Sequence, residues 1–266
     1  MTVHDFFAKH AREFDRHIHD SIRRYDDLRR DCVRFSRDYV QKGTAVVDIG
    51  CSEGTLLRSI RDENQPSRPS VSYLGIDEKS EYGVHWRERS ADNVKFEVRD
   101  ARLFEFENMS LACSIFTLQF IPEHERLGLL GRIYDGLIDG GALIIAEKVF
   151  ANSPKFQEML MSSYYEHKRK SFSDAEILDK FRDLRGVMKP WGRAQLINTL
   201  HEAGFEPDDI QEFWQDHFFV AMMAQKSTPR SRPRASIIPV RAERGLTIPR
   251  IARLDFDGPE LARAID

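Results

Sequence analysis

Five apolar runs, separated by segments of helical spacing, constrain the fold of this chain more than any other feature. The runs cover residues 44–50, 72–80, 94–101, 111–120 and 141–150. Strands that alternate with helices run parallel, because each helix returns the chain to the same edge of the sheet. We therefore predict an α/β fold with a doubly wound, mostly parallel sheet that helices cover on both faces.

Three segments depart from this alternation and predict additions to the sheet. Residues 1–42 carry apolar residues at three- and four-residue steps, which predicts an amphipathic helical arm. Residues 151–192 are highly charged with helical spacing, so we expect a helical lid inserted before the last helix and strand. Residues 227–266 are rich in Pro and Arg without a period, which predicts an extended tail after a domain of residues 1–226.

The composition excludes several classes of protein. A net charge of -3 gives no overall basic field for nucleic acid. No apolar run approaches the roughly 20 residues that span a bilayer, and the first residues lack the apolar core of a signal peptide. The three cysteines lie far apart without metal-site spacing. We therefore expect reduced thiols, no metal, no membrane contact and a cytoplasmic location.

The loop after the first strand has residue types that select the kind of cofactor. Its distinctive residues are Asp48, Gly50, Cys51, Ser52 and Gly54. The Lys of a phosphate-binding P-loop is missing, and so is the third glycine of a dinucleotide fingerprint. The loop thus disfavours ATP and NAD. It suits a cofactor without phosphates, although an ordinary strand–helix turn explains two glycines equally well.

Acidic residues at the ends of the next two strands favour the cofactor interpretation. Asp77 ends the second predicted strand, where a carboxylate can accept both hydroxyls of a ribose. Asp100 ends the third and is placed to accept the amino group of an adenine. Together with the glycine loop, these acids predict S-adenosylmethionine (SAM) or S-adenosylhomocysteine as the ligand.

With these motifs, the chain resembles the class I SAM methyltransferases. Within them it is most similar to the carboxy-S-adenosylmethionine synthases, which serve wobble-uridine modification of tRNA. The resemblance runs from about Phe14 to Lys226 and rests on the strings FDRHIHDSIRRY, VDIGCSEG, FTLQFIPEHERLGLLGRIYDGL, GGALIIAEKVF and SDAEILDKFRDLRGVM. It implies a Rossmann-like fold and the use of SAM.

The resemblance also assigns cofactor contacts residue by residue. It adds a tyrosine at the end of the N-terminal helix, residues after each strand-end acid, and one position before the Phe-Thr-Leu-Gln-Phe string. With the loop, the predicted cofactor-binding residues are Tyr25, Asp48, Gly50, Cys51, Ser52, Gly54, Asp77, Glu78, Asp100, Ala101 and Ile115.

Two positions depart from the family pattern. Ile115 stands where the family has a cofactor-contacting Asn. Phe181 follows Lys180 where the family has an Arg that binds the carboxylate of the carboxylated product. Arg182 lies one place further, and one helical step turns a side chain by about 100°, so a simple substitution is not expected.

These departures lead us to expect a SAM-dependent methyltransferase that acts on a small-molecule acceptor. One alternative is the carboxy-SAM synthase reaction itself, which the resemblance implies would join a carboxyl group from prephenate to SAM. Another alternative, from a different class, is a SAM-binding partner protein without catalysis. Carboxy-SAM as the bound ligand is the less favoured form of the cofactor.

A protonated acceptor would require a base, and four side chains are candidates. Glu147 lies at the end of the fifth strand and His167 in the lid, with Glu166 and His217 as further candidates. The basic run 167–170 either faces an acidic substrate or is a solvated helix face. We also expect a homodimer, and the Arg-rich tail could contact its neighbouring subunit, another partner or RNA.

Overall fold

The computed structural model describes residues 14–227, so the start of the arm and all but the first residue of the predicted tail lie outside the described residues. The elements are α1 (Phe14–Ser21), α2 (Tyr25–Tyr39), β1 (Ala45–Ile49), α3 (Thr55–Asn64), β2 (Ser72–Asp77), α4 (Gly83–Arg89), β3 (Val94–Val98), β4 (Met109–Ile115), α5 (Glu123–Gly136), β5 (Leu137–Phe150), α6 (Pro154–Lys168), α7 (Asp174–Leu184), β6 (Trp191–Gly192), α8 (Arg193–Glu202), β7 (Ile210–Asp216) and β8 (Phe219–Gln225). Short 3₁₀ turns precede α4, α5 and β7.

The main sheet has the strand order β3-β2-β1-β4-β5-β8-β7, and the short β6 pairs with the end of β5. The first five strands are parallel, while β8 runs antiparallel to both of its neighbours. The predicted α/β class with a mostly parallel sheet is therefore confirmed. No helix within residues 14–227 is long and apolar enough to cross a membrane.

Alternate residues of β1 show why both faces of the sheet are covered. Val47 and Ile49 pack with α5 and α8 on one face, while Val46 packs with α2 and α3 on the other. Successive strand residues point to opposite faces, so a continuous apolar run requires two apolar layers. The apolar run of β1 thus predicts the helix–sheet–helix sandwich that the structure shows.

The element bounds differ from the sequence expectation at several points. The arm is two helices, α1 and α2, rather than one. β3 ends at Val98, so Asp100 lies in the following loop. β5 begins at Leu137, before the predicted run 141–150. β5 thus continues through Asp139, Gly140 and Gly141, residue types that usually mark a turn between two elements.

Residues 151–192 contain two helices with clear start signals. Ser153 caps α6 through the amide of Phe156, with Pro154 in the first turn. Ser173 and Glu176 form a capping box at the start of α7. Such caps satisfy the unpaired amides of a first helical turn. That these helices act as a lid stays a prediction.

Candidate functional site

A cavity of about 660 Å³ lies at the carboxyl ends of the parallel strands, with further walls from α2, α6 and α7. Its volume is typical of a site for a small ligand, and open α/β sheets bind ligands at this edge. Ten of the predicted cofactor residues line it: Tyr25, Asp48, Gly50, Cys51, Ser52, Asp77, Glu78, Asp100, Ala101 and Ile115. Gly54 is not in the lining.

The two loop glycines have structural roles that other residues could not fill. Gly50 and Gly54 adopt φ angles of +71° and +80°, in the left-handed region that favours glycine. A Cβ at Gly50 would overlap the side chain of Thr117, and one at Gly54 would overlap the ring of Phe96. Gly54 therefore serves packing, while Gly50 brings the loop against the segment that follows β4.

Asp77 is held by the backbone at the end of β2. Its Oδ2 accepts a hydrogen bond from the amide of Ser52, and its Oδ1 accepts one from the amide of Lys79, each at 3.0 Å. A carboxylate offers about four acceptor sites, so both oxygens keep capacity toward the cavity. Burial raises the pKa of Asp77 to about 6, which leaves the group mostly ionised at neutral pH.

Asp48, on β1, and Cys51, in the loop that follows, are buried near this carboxylate. Asp48 is 3% exposed, and burial together with the charge of Asp77 raises its pKa to about 7. Burial also raises the pKa of the Cys51 thiol. Cys51 is therefore a packed thiol rather than a nucleophile.

Asp100 has a partner that sequence reasoning missed. The guanidinium of Arg102 donates to both of its oxygens, with distances of 2.6 to 3.0 Å, and holds the pKa of that carboxyl below its usual value. Arg102 also reaches Glu125 at 3.2 Å. An adenine contact at Asp100 would therefore share the carboxylate with this arginine. The spacing Asp-x-Arg after a strand could have indicated this pairing in the sequence.

Tyr25 enters the cavity from the first turn of α2. Its ring lies 6.3 Å from that of Phe116 and 5.9 Å below the guanidinium of Arg29. Phe116 follows β4 with a φ of +56°, which is uncommon for a bulky residue. Together with Ile115, these side chains form an aromatic and apolar wall next to the glycine loop.

Glu147, a candidate base, lies behind the cavity wall. Its carboxylate accepts hydrogen bonds from the amides of Leu118 at 2.8 Å and Gln119 at 2.9 Å. The side chain is buried, which raises its pKa to about 8, and it is not part of the lining. Its position supports a role in holding the loop after β4 rather than in proton transfer to a bound ligand.

The other three base candidates also lie outside the lining of the cavity. Both ring nitrogens of His167 are buried without a hydrogen-bond partner among the described residues, and burial lowers its pKa. His217 is hydrogen-bonded to Ser163 at 3.0 Å and to Asp216 at 3.2 Å. Glu166 is exposed. A catalytic role for these residues has no support from their positions.

Four lysines line the cavity instead: Lys79 after β2, which pairs with Glu78, Lys148 on β5, Lys168 at the end of α6 and Lys180 on α7. The sequence left open whether the basic run 167–170 faces a substrate or solvent. The structure divides it, because Lys168 is buried toward the cavity while Arg169 is exposed and pairs with Asp174 at 2.6 Å. Within residues 14–227 there is no cluster of side chains that could hold a metal ion.

Comparison with solved structures defines the class of the fold. A protein from Nostoc punctiforme that is classified as an O-methyltransferase superposes with a TM-score of 0.57 at 15% identity. The superposition covers 85% of this chain and 63% of that one. The complex between the Haloferax volcanii Trm112 methyltransferase activator and an assigned methyltransferase gives 0.55 at 17% identity over 86% and 99%. The chain has the fold of the class I SAM-dependent methyltransferases.

Curated relatives give the family within that class. The carboxy-S-adenosyl-L-methionine synthase of Staphylococcus epidermidis is 31% identical over 218 residues, which are 81% of this chain and 93% of the relative. That of Trichodesmium erythraeum is 32% identical over 84% of this chain and 88% of the relative. No family model matches the sequence. The chain belongs to the carboxy-S-adenosyl-L-methionine synthase family, and the expected class of SAM-dependent transferases is confirmed.

Proposed function

We propose that the protein binds SAM in the cavity at the carboxyl ends of β1 and β2 and joins a carboxyl group to it. The observation that carries the proposal is the fixed carboxylate of Asp77 beside the glycine loop, in a chain 31% identical to a carboxy-SAM synthase over 93% of that enzyme. Asp77 would accept the ribose hydroxyls, and the backbone of Gly50 and Ser52 would face the cofactor.

The aromatic and apolar wall supports the same placement. A sulfonium next to Tyr25 and Phe116 would lie against the faces of aromatic rings, which attract cations. When bound, SAM would supply a methyl carbon that the adjacent sulfonium makes acidic and that becomes nucleophilic once it loses a proton. By the family resemblance, prephenate would release one carboxyl group as CO2 to this carbon and its hydroxyl as hydroxide, which takes the methyl proton to form water, so that prephenate leaves as phenylpyruvate. The chain's contribution to this step is to bring the two ligands together and to exclude water.

Methyl transfer to a small-molecule acceptor is the second candidate, and Phe181 favours it. Phe181 lines the cavity where the resemblance places an arginine, while Arg182 lies outside the lining and pairs with Asp179 at 2.9 Å. Ile115 gives a further apolar surface where the resemblance places an Asn. Without these polar groups, an apolar acceptor could occupy the space of a carboxylated product.

Mass spectrometry of the reaction products separates the two candidates. The purified protein is incubated with SAM and prephenate, and in parallel with SAM and a panel of small acceptors. We expect the mass of SAM plus a carboxylate in the first mixture, with its loss in Asp77→Ala and its retention in Asp179→Ala, which changes an exposed acid.

A methylated acceptor without carboxylated SAM would replace the first candidate by the second. Calorimetry that detects no binding of S-adenosylhomocysteine would contradict both. Binding without any product would favour the non-catalytic alternative.

A further inference from the structure

Two lysine side chains converge on one aromatic ring inside the cavity. Lys148 comes from the end of β5, and Lys168 is the last residue of α6. Their Nζ atoms lie 5.8 Å and 5.6 Å from the centroid of the Tyr164 ring. Both lysines line the cavity, with Lys168 only 4% exposed. The sheet and α6 therefore each direct one ammonium group to the ring of Tyr164.

Neither ammonium group pairs with a carboxylate among the described residues. Their other close neighbours are aromatic: the ring of Phe218 is 4.7 Å from Lys148 Nζ, and that of Phe172 is 5.1 Å from Lys168 Nζ. Glu147, the neighbour of Lys148 in the sequence, points to the opposite side of β5 and binds the amides after β4. Buried lysines are rare unless they are paired, and aromatic faces offset only part of the desolvation cost.

The titration behaviour of the two groups agrees with this geometry. Burial and the neighbouring charge of Lys168 lower the pKa of Lys148 to about 8, and burial lowers that of Lys168 to about 8. Tyr164 cannot supply the missing negative charge, since burial raises the pKa of its hydroxyl. An anion between the two lysines would relieve their repulsion and keep both protonated.

The lysine pair is separate from the ribose acid. In the strand order, β1 and β4 lie between β2, which carries Asp77, and β5, which carries Lys148. Three strand spacings amount to roughly 14 Å across the sheet. A ligand whose ribose is held by Asp77 leaves the lysine pair to another group, at the side of the cavity that α6 covers.

We propose that Lys148 and Lys168 form a carboxylate-binding subsite for the small organic acid that reacts with SAM. The inference rests on the proposed function for SAM as the first ligand. That the second ligand carries a carboxylate follows from the two lysines instead. A carboxylate has two oxygens, so one group can accept from both lysines in charge-assisted hydrogen bonds. Because one lysine belongs to the sheet and the other to α6, the bound acid would hold this helix against the sheet.

Calorimetry tests the subsite on protein saturated with S-adenosylhomocysteine, so that no reaction occurs. Prephenate, phenylpyruvate and malonate are titrated into the wild type and into the variants Lys148→Met and Lys168→Met. We expect at least one acid to bind the wild type, and each variant to weaken it by about tenfold or more, as for loss of one charge-assisted contact. Lys155→Met, at an exposed lysine of α6, serves as the matched control and should bind like the wild type.

A second set of variants distinguishes a binding role of the two lysines from a structural one. Lys148→Arg and Lys168→Arg keep the charge and should retain most of the acid affinity. S-adenosylhomocysteine should bind all variants within about twofold of the wild type, which also shows that they fold.

Three outcomes would overturn the inference. In the first, the wild type binds S-adenosylhomocysteine but none of the acids. This result would contradict the subsite without contradicting the proposed SAM site. In the second, acid affinity is unchanged in both Met variants. In the third, the affinity for S-adenosylhomocysteine falls as far as that for the acid, which assigns the lysines to the carboxylate of the nucleoside ligand. A wild type that binds no S-adenosylhomocysteine would instead contradict the proposed function.

Discussion

The cavity has two halves that are formed by different kinds of groups, one around Asp77 and the other around Lys148 and Lys168. Around Asp77, backbone amides of neighbouring loops hold one carboxylate, and the glycine turn sets the shape. Around Lys148 and Lys168, long side chains from a strand and from α6 converge on an aromatic ring, and no carboxylate within residues 14–227 pairs with either of them. The first half is satisfied by its own chain, whereas the second half needs an anionic ligand to balance its charge. The comparison suggests a preformed nucleoside site beside a subsite that its ligand completes.

The largest expected effect is at the loop that joins the two halves. Glu147→Ala would leave the amides of Leu118 and Gln119 unpaired behind the cavity wall and should lower the free energy of unfolding by about 3 kcal/mol. Glu147→Gln keeps one acceptor oxygen and should lose less. Denaturant unfolding measures both. A change below about 0.5 kcal/mol in the Ala variant would show that the loop does not depend on this carboxylate.

Asp77→Ala should weaken binding only in the half of the cavity around Asp77, where we place the nucleoside. It removes the acceptor for both ribose hydroxyls and the partner of the Ser52 amide, so S-adenosylhomocysteine should bind about 100-fold more weakly, or about 2.7 kcal/mol. Calorimetry measures the affinity, with the exposed Asp62→Ala on α3 as the control. Equal affinities of the two variants would place the ribose elsewhere.

The two halves should respond to pH in opposite directions. Asp77 has a pKa raised to about 6, so affinity for S-adenosylhomocysteine should fall as the pH drops below 6 and the carboxylate is protonated. Lys148 and Lys168 have pKa values lowered to about 8, so affinity for an organic acid should fall as the pH rises above 8. Each loss approaches about tenfold per pH unit.

Calorimetry across pH 5 to 9, roughly one unit beyond each pKa, measures both affinities on the same protein. Asp48 and Glu78 are the other acids near Asp77, and Lys79 is the nearby cation, so Asp48→Asn is the control for the acidic limb. Parallel pH profiles for the two ligands would contradict the division of the cavity.

The smallest expected effect is a gain in stability. Lys168→Met replaces a buried ammonium, which has no carboxylate partner among the residues that the structure describes, by an unbranched apolar side chain of similar length. The variant should raise the free energy of unfolding by about 1 kcal/mol. Thermal unfolding of the ligand-free protein measures the change against Lys155→Met. A loss of stability would mean that Lys168 supports the fold, which would weaken the contrast between the halves.

The same contrast explains how much the sequence could predict. The strands, the sheet class, the glycine loop and the strand-end acids follow from local patterns, because strand ends and glycine turns are fixed by neighbouring residues. Tyr25, Glu78, Ala101 and Ile115, which also line the cavity, were predicted from the family resemblance instead. Gly54 does not line the cavity, and its packing against Phe96 could not be predicted because it involves a distant strand. The location of the half of the cavity around Asp77 could therefore be predicted from short motifs, while the cofactor contacts of its residues stay predictions.

The other half could not be predicted, because its members are assembled by tertiary packing. Nothing in the run 167–170 indicates that Lys168 is the residue turned inward, and the pairing of Arg102 with Asp100 depends on the loop after β3. The four base candidates were chosen by residue type, and none of them reaches the cavity wall. The homodimer and the role of the tail stay predictions.

A crystal structure with S-adenosylhomocysteine and an organic acid bound together tests the account most directly. The account predicts ribose hydroxyls on the carboxylate of Asp77 and a carboxylate of the acid between the Nζ atoms of Lys148 and Lys168. A ribose away from Asp77, or the nucleoside's own carboxylate between the two lysines, would contradict it.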